Sequence, residues 1–418
     1  MILEKILESR ALDQYMSDFL TGADDYYTSN SGESVTQSSA MRLSSWFACV
    51  SILVDDVAKL PRHVFKRKAN GDRVEDREHP AYRLLAIQPN RRMNPSSFFK
   101  LMEYKRISWG NAYAYVATDF NGFPTELFPL PPEYTLVYVD EQGYLWYILK
   151  IPGMETRKLP ASDVIHVKGF SEDGITGNSY LGYAREALGA GLAEQKFEGN
   201  FYQRGMKLGG VLKTPTQLGP DEKNSVRAEF EKYSSGLSNM HRVAILNLGE
   251  EFTPVNMPLK DAQFVETKQT NIADIARFLK IPLYKLQEGK QSYNSNEQQE
   301  INYLVTTLDT ILKQYEEEFD LKLFAMREQK KYYARFNRNA LMRIDLNSRK
   351  SFLTAMTQGG IYSLSEARAY EELNRYEPGS ENPADRLLVS RNYVFLEDLS
   401  KTITGTQPAG ETPPSVPD

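Results

Sequence analysis

Two helical runs bracketing a short mixed segment constrain this 418-residue chain more than any other feature. The first, SYLGYAREALGAGLAEQKFEGNFYQRG from Ser179, puts Leu181, Ala184, Leu188 and Leu192 on one stripe. The second runs from Asp261 to Lys280 with Val265, Ile272, Ile275 and Leu279 on one face, and Pro282 terminates it. At 1.5 Å per residue each is about 30 Å long. Between them, 207–258 reads as strand-like GGVLKT, a helix after Pro220 and strand-like RVAILNL. These elements predict a stalk carrying a small head. Gly189 and Gly191 lie inside the first helix, where each costs about 1 kcal/mol relative to Ala. Such glycines are tolerated where another backbone must approach closely, and packing against copies of the same helix is one such case.

The opening MILEKILESRALDQYMSDFL is amphipathic and acidic, without the basic start or cleavage site of a secretory signal. It reads as a helix that docks on a partner or as a frayed arm. The Ser-, Thr-, Gly- and Asp-rich stretch 21–40 reads as a flexible linker. From Met41 a helix carries Trp46, Val50, Leu53 and Val57 on one stripe and ends at Pro61; RHVFKRKANGDRVE then reads as a hairpin turning at Asn70-Gly71. Asn94-Pro95 caps a helix that runs to about Ser108, and Gly110 closes it. Strands follow, punctuated by Asn121-Gly122 and by Pro124, Pro129, Pro131 and Pro132, so an α+β architecture is expected to about residue 170.

Beyond the stalk, YKLQEGKQSYNSNEQQ (284–299) is polar and aperiodic, an exposed loop. The cleanest helix follows, with Ile301, Leu304, Val305, Leu308, Ile311, Leu312, Tyr315 and Phe319 inward and Asn302, Asp309, Glu316 and Glu317 outward. A Tyr-rich strand (KKYYARFNRN), two shorter helices and a Pro-rich, disordered tail end the chain.

The chemistry-bearing patterns are absent. There is no phosphate-cradling G-x-x-x-x-G-K-[ST], no G-x-G-x-x-G after a strand, no H-E-x-x-H and no G-x-S-x-G. One cysteine, Cys49, excludes a disulfide framework and a cysteine-based zinc site, and four scattered histidines argue against a histidine-rich metal centre. Neither a metal nor a cofactor is expected. Cys49 falls in an apolar run and reads as a structural thiol. His166, in DVIHVKGF, is either a buried base or, as the commoner case, a hydrogen-bonded core histidine. Asp24-Asp25 lies in the linker and Asp55-Asp56 on the solvent side of a helix. Pro129 to Pro132 forms a PxxP that connects strands or docks in an SH3-like groove. Lys331, Arg335, Arg338, Arg343, Arg349 and Lys350 make a local basic excess, either a phosphate-contacting patch or partners for the EEEFD of the preceding helix. With 50 Lys+Arg against 55 Asp+Glu, a net charge of −5, the chain lacks the basic excess of a nucleic-acid clamp. No apolar run reaches transmembrane length.

The order of GNAYAYV, G-x-P-x-x-L-x-P-L-P-P (122–132), DVIHVKGFSEDGITGNSYL (163–181), NFYQRGMKLGGVL (200–212), IADIARFLKIPLYKL (272–286) and YNSNEQQEINYLVTTLDTILKQYEEEFDLKLF (293–324) resembles the phage portal protein family of tailed double-stranded DNA phages. The resemblance covers about 41–376. It implies an N-terminal arm and linker (1–40), an α+β wing (41–179), a stem helix (180–205), a small α/β clip (206–258) and a second stem helix (259–282). A tunnel loop (283–297), a long helix with the rest of the wing (298–360), a helical crown (361–401) and the tail (402–418) complete it.

The implied assembly is a ring of identical subunits, usually twelve, at one capsid vertex of the virion, built in the host cytoplasm. Its implied partners are double-stranded DNA in the channel, the terminase large subunit, the head–tail adaptor, and the major capsid protein and scaffold, with no membrane. The portal itself would not be an enzyme. The tunnel loop would offer Lys285, Lys290, Gln291, Asn294 and Asn296 to DNA. Lys196, Arg204, Lys268 and Arg277 on the stem helices would face the channel or form salt bridges between subunits, and Gly189 and Gly191 would pack subunits together. Two rivals remain at this point: a metal-dependent nucleic-acid enzyme with a diffuse carboxylate site, and another phage ring or adaptor protein.

Overall fold

Trp46, Cys49, Val50, Leu53 and Val57 recur every three or four residues, and that period winds them into α1 (Ser44–Lys59) with all five buried. Burial pushes the Cys49 thiol up to about 12, the behaviour of an inert core thiol. Against α1 packs α2 (Pro95–Trp109), whose ends follow from local chemistry. Asn94 Oδ1 accepts the Ser97 N–H at 2.8 Å, Pro95 takes the first helical position, and Gly110 turns the chain out at φ +77°. The computed structural model describes residues 28–68, 72–203, 210–213, 219–225, 251–254, 261–288, 296–338, 340 and 346–370.

The strands form antiparallel sheets, which with the helices make the α+β class. In the first, β1 (Arg62–Arg67) pairs with β2 (Arg73–Glu75) on one side and β11 (Tyr332–Phe336) on the other. The expected hairpin turn at Asn70-Gly71 lies outside the described residues. In the second, β3 (Asn111–Thr118) lies between β4 (Pro124–Leu130) and β8 (Val164–Lys168), with Tyr113 opposite both Leu130 and His166. The third runs β5 (Thr135–Val139), β6 (Leu145–Leu149), β7 (Arg157–Pro160). Pro129 and Pro132 are strand and connector residues, as the structural reading of the PxxP expects.

The stalk helices are α3 (Arg185–Gln203) and α4 (Asp261–Phe278), each about 27–29 Å long. Asn271 Nδ2 donates to the Ala187 carbonyl at 2.9 Å, holding them side by side, while Leu188, Leu192, Ile275 and Leu279 are buried. Between the two helices, β9 (Gly210–Lys213) pairs with β10 (Glu251–Pro254). The expected strand RVAILNL lies outside the described residues.

Three expectations are corrected here. Residues 28–40 are not a flexible linker. Thr28 bridges Ser34, Thr36 and Ser39 form a capping box on a four-residue helix, and Ser29, Val35 and Ala40 are buried. The Ser and Thr side chains that read as solvated are spent on caps and turns. The long helix is not one α-helical register either: α5 (Asn296–Tyr303) leads through a π turn over Leu304–Leu308 into α6 (Asp309–Lys322). A π turn shifts the helical phase, so Tyr303 and Thr307 are buried while Val305 is 62 % exposed. Glu316, expected outward, is buried because β11 covers it: its carboxylate accepts the Phe336 N–H at 2.9 Å and Arg338 Nη1 at 2.8 Å.

The chain divides into two units, Met1–Ala340 and Leu341–Asp418. The second contains α7 (Leu346–Gln358) and α8 (Leu364–Tyr370). Gly360, at φ +69°, follows α7, and Ser363 and Glu366 cap α8 reciprocally.

Candidate functional site

The connection from α4 to α5 is held at both ends by one lysine. After α4 the chain passes Lys280 (φ +55°), Pro282 and a 3-10 turn over Leu283–Leu286, then leaves through Gln287 (φ +60°). Lys285, on that turn, is 14 % exposed. Its Nζ lies 2.9 Å from Glu300 Oε2 on α5, 3.7 Å from Asp56 Oδ2 on α1, and 4.3 Å from the centre of the Tyr303 ring. Tyr284 donates its hydroxyl to the other Glu300 oxygen at 3.2 Å. Burial, followed by the Asp56 charge, pushes the Tyr303 hydroxyl well above the usual tyrosine range. This cluster fastens three elements together.

Lys285 is therefore not the free DNA-facing cation that was expected: its charge is committed to two carboxylates. Asn296 opens α5 instead of lying in a loop, and Leu283–Leu286 form a 3-10 turn, so both ends of the loop expected at 283–297 are regular structure. Lys290, Gln291 and Asn294 lie outside the described residues.

The stem cations are likewise engaged within the chain. Lys196 pairs with Glu33, Lys268 with Glu198 at 3.3 Å, and Arg277 with Asp274 one turn back. Arg204 lies outside the described residues. The room left by the two glycines is filled from within the chain. A Cβ on Gly189 would stand 2.1 Å from Ser29 Oγ, and one on Gly191 would stand 2.9 Å from Leu43 and 3.0 Å from Asn271. The close approach they permit is thus to the segment before α1 and to α4. Asn30 N–H, donating to Glu186 Oε2 at 3.0 Å, adds to that seam.

The basic stretch 331–350 resolves toward pairing. Arg335 meets Asp320 at 2.8 Å, and Arg338 meets Glu316 and Asp309, all on α6. Arg343 and the Arg349 side chain lie outside what is described. His166 is a satisfied core histidine. Asn111 Oδ1, 2.8 Å from Nε2, accepts, so Nε2 carries the proton and Nδ1 accepts the Tyr147 hydroxyl at 3.0 Å.

Burial, with Lys168 and Lys322 adding to it, pushes the His166 ring down to about 3. An unfolded histidine titrates near about 6.5. Between those values only the unfolded chain takes the proton, so stability falls as the pH is lowered through that window. His166→Asn is expected to flatten this acid limb in urea titrations at several pH values. An unaltered limb would assign it to another group.

Asp56 is the member of the Lys285 cluster that the sequence did not reveal. It was placed on the solvent side, yet it lies three residues after Leu53 on the buried stripe and is 5 % exposed. That phase was the available signal. Among the described residues no group of three or more His, Cys, Asp and Glu is arranged to hold a metal ion, and no helix is long and apolar enough to cross a membrane.

The model of the phage portal protein family matches residues 44–372. The portal protein of Enterobacteria phage HK97 is 25 % identical over 370 residues, 88 % of this chain and 86 % of that protein. The probable portal protein of Streptomyces phage phiC31 is 28 % identical over 390 residues, 89 % of this chain and 83 % of its own length. In fold, the chain is similar to the crystal structure of an HK97 family phage portal protein from Corynebacterium diphtheriae. The TM-score is 0.57 at 15 % identity, covering 74 % of this chain and 98 % of that one.

Proposed function

The chain belongs to the phage portal protein family, and from that premise we propose that it assembles into a ring of about twelve copies at one capsid vertex. The ring is the conduit for double-stranded DNA during packaging and ejection. It is also the platform for the terminase large subunit and the head–tail adaptor, seated among the major capsid protein and scaffold of a virion assembled in the host cytoplasm. The protein's part is mechanical, and it catalyses no reaction of its own. The observation that carries this reading is the family match across both stalk helices and the long helix.

Charge supports a conduit. Each neutralised phosphate adds salt-sensitive affinity, which hinders a duplex that must slide. A net charge of −5, with Lys196, Lys268, Arg277 and Lys285 each paired to a carboxylate of the same chain, suits a channel that does not grip it. The DNA contacts are assigned to Lys290, Gln291 and Asn294, with Arg204 a further channel candidate, on the family resemblance.

Negative-stain microscopy of the purified protein tests the class: near-twelve-fold rings with a central channel are expected, and a compact monomer or dimer overturns it. Lys290→Glu is expected to lower DNA packaging or retention at least several-fold while rings still form. Unaltered packaging would remove the loop assignment and leave the ring reading standing.

A further inference from the structure

We infer that Lys285 is a positioning residue, a charged latch that seats the turn after α4 and the start of α5 on α1 and so fixes where the connection between Gln287 and Asn296 begins and ends. The inference rests on the reading of that connection as the part of the ring that meets DNA.

Three observations carry it. First, the lysine touches three groups on two other elements: Glu300 at 2.9 Å and the face of Tyr303 at 4.3 Å, both on α5, and Asp56 on α1 at 3.7 Å. A cation between two carboxylates and over an aromatic face is held from every side.

Second, Asp56 Oδ2 is buried and has no hydrogen bond among the described residues, although Lys59 holds Oδ1. Lys285 supplies a cation 3.7 Å from that oxygen, and the buried Tyr303 hydroxyl lies beside the same carboxylate. Without Lys285, the buried Asp56 oxygen loses that cation and Glu300 loses its ion pair, and an acid so stranded is destabilising.

Third, the turn is entered and left through two non-glycine residues in the left-handed region, Lys280 and Gln287. Such residues persist where the surroundings hold them. Thr307 Oγ1, on the π turn, anchors the first by donating to the Lys280 carbonyl at 2.8 Å. Gln287 has its own backbone bond to the Tyr284 carbonyl at 3.2 Å, and the turn itself is held by Lys285. The same π turn begins directly after Tyr303, which is buried at the cluster.

The test is amide hydrogen exchange on the full-length protein, comparing Lys285→Met, Lys285→Arg and Lys290→Glu. Methionine keeps the stem and removes the charge. Exchange in 280–288 and 296–304 is expected to speed up about tenfold in Lys285→Met, with α2 unchanged and with Lys285→Arg restoring protection. Unchanged exchange in Lys285→Met overturns the latch. So does faster exchange that arginine fails to rescue, because packing of the stem and not charge would then be the cause. Lys290→Glu is expected to exchange as the parent does while packaging falls, so the DNA reading and the latch fail by different measurements.

Discussion

Glu103→Ala is expected to destabilise the protein by about 3–5 kcal/mol, the cost of stranding a buried charge. Glu103 is fully buried on α2 and Arg106, one turn on, is 3 % exposed. The guanidinium spans both carboxylate oxygens, with Nε to Oε2 at 2.9 Å and Nη2 to Oε1 at 2.7 Å. Tyr315 on α6 donates its hydroxyl to Oε2 at 3.3 Å, and Arg106 Nη1 reaches the Tyr180 hydroxyl at 3.4 Å. Burial opposes the Arg106 charge, yet the carboxylate beside it holds the guanidinium's pKa above its ordinary value.

Removing Glu103 alone therefore leaves a cation that can neither titrate away nor reach water. Urea unfolding of the purified protein measures the loss as a fall in midpoint. The matching expectation is that Glu103→Leu combined with Arg106→Met recovers most of it, since replacing both partners with apolar groups of similar volume is near neutral. A single-residue loss below about 1 kcal/mol, the scale of an exposed pair, would show that water reaches the site.

Features set by neighbours in the chain were legible before the structure was known, and features set by distant partners were not. Asn94-Pro95 and Gly110 mark the ends of α2 because capping acts within three residues. The stalk followed from period and prolines in the same way. Asp56 was misplaced because a carboxylate argues for solvent, and its compensating lysine arrives only after α4. Glu316 and Val305 were misassigned because β11 and the π turn, neither visible in a heptad count, decide which side of the long helix is covered. Gly189 and Gly191 announced a close approach without saying to what; Ser29, Leu43 and Asn271 supply the answer. Within the candidate site, the segment was identified but not its working parts. Lys285 and Asn296 belong to the frame, and Asp56, Glu300 and Tyr303, the rest of that frame, carried no motif.

Gly177→Ala is the second large effect expected, about 3 kcal/mol or more, at the upper end of overpacking costs. A Cβ there would lie 2.2 Å from the Gly110 carbonyl oxygen and 2.7 Å from the Gly169 nitrogen, both backbone atoms that have no rotamer through which to yield. Gly110, at φ +77°, is itself pressed so closely that its own Cβ would fall 2.4 Å from the Asn178 carbonyl carbon. The crossing is sealed by hydrogen bonds. Gly169 N–H donates to the Gly110 carbonyl at 2.6 Å, and Gly177 N–H donates to Asn111 Oδ1 at 2.8 Å. Asn111 Nδ2 returns a bond to the Gly177 carbonyl at 2.7 Å, and Ser179 Oγ donates to the Ser108 carbonyl at 2.6 Å. A methyl group at 177 must push these strands of backbone apart and break several bonds together. Gly182→Ala is the control: a Cβ there meets nothing nearer than 3.9 Å, and inside a helical turn alanine is expected to be neutral or stabilising by up to about 1 kcal/mol. Urea midpoints of the two variants should therefore move in opposite directions or differ severalfold in size, and equal shifts would refute the crossing as the cause. Because the crossing joins the end of α2 to the residues that lead into α3, Gly177→Ala is also expected to loosen amide protection in the first turn of the stalk, where Gly182→Ala does not.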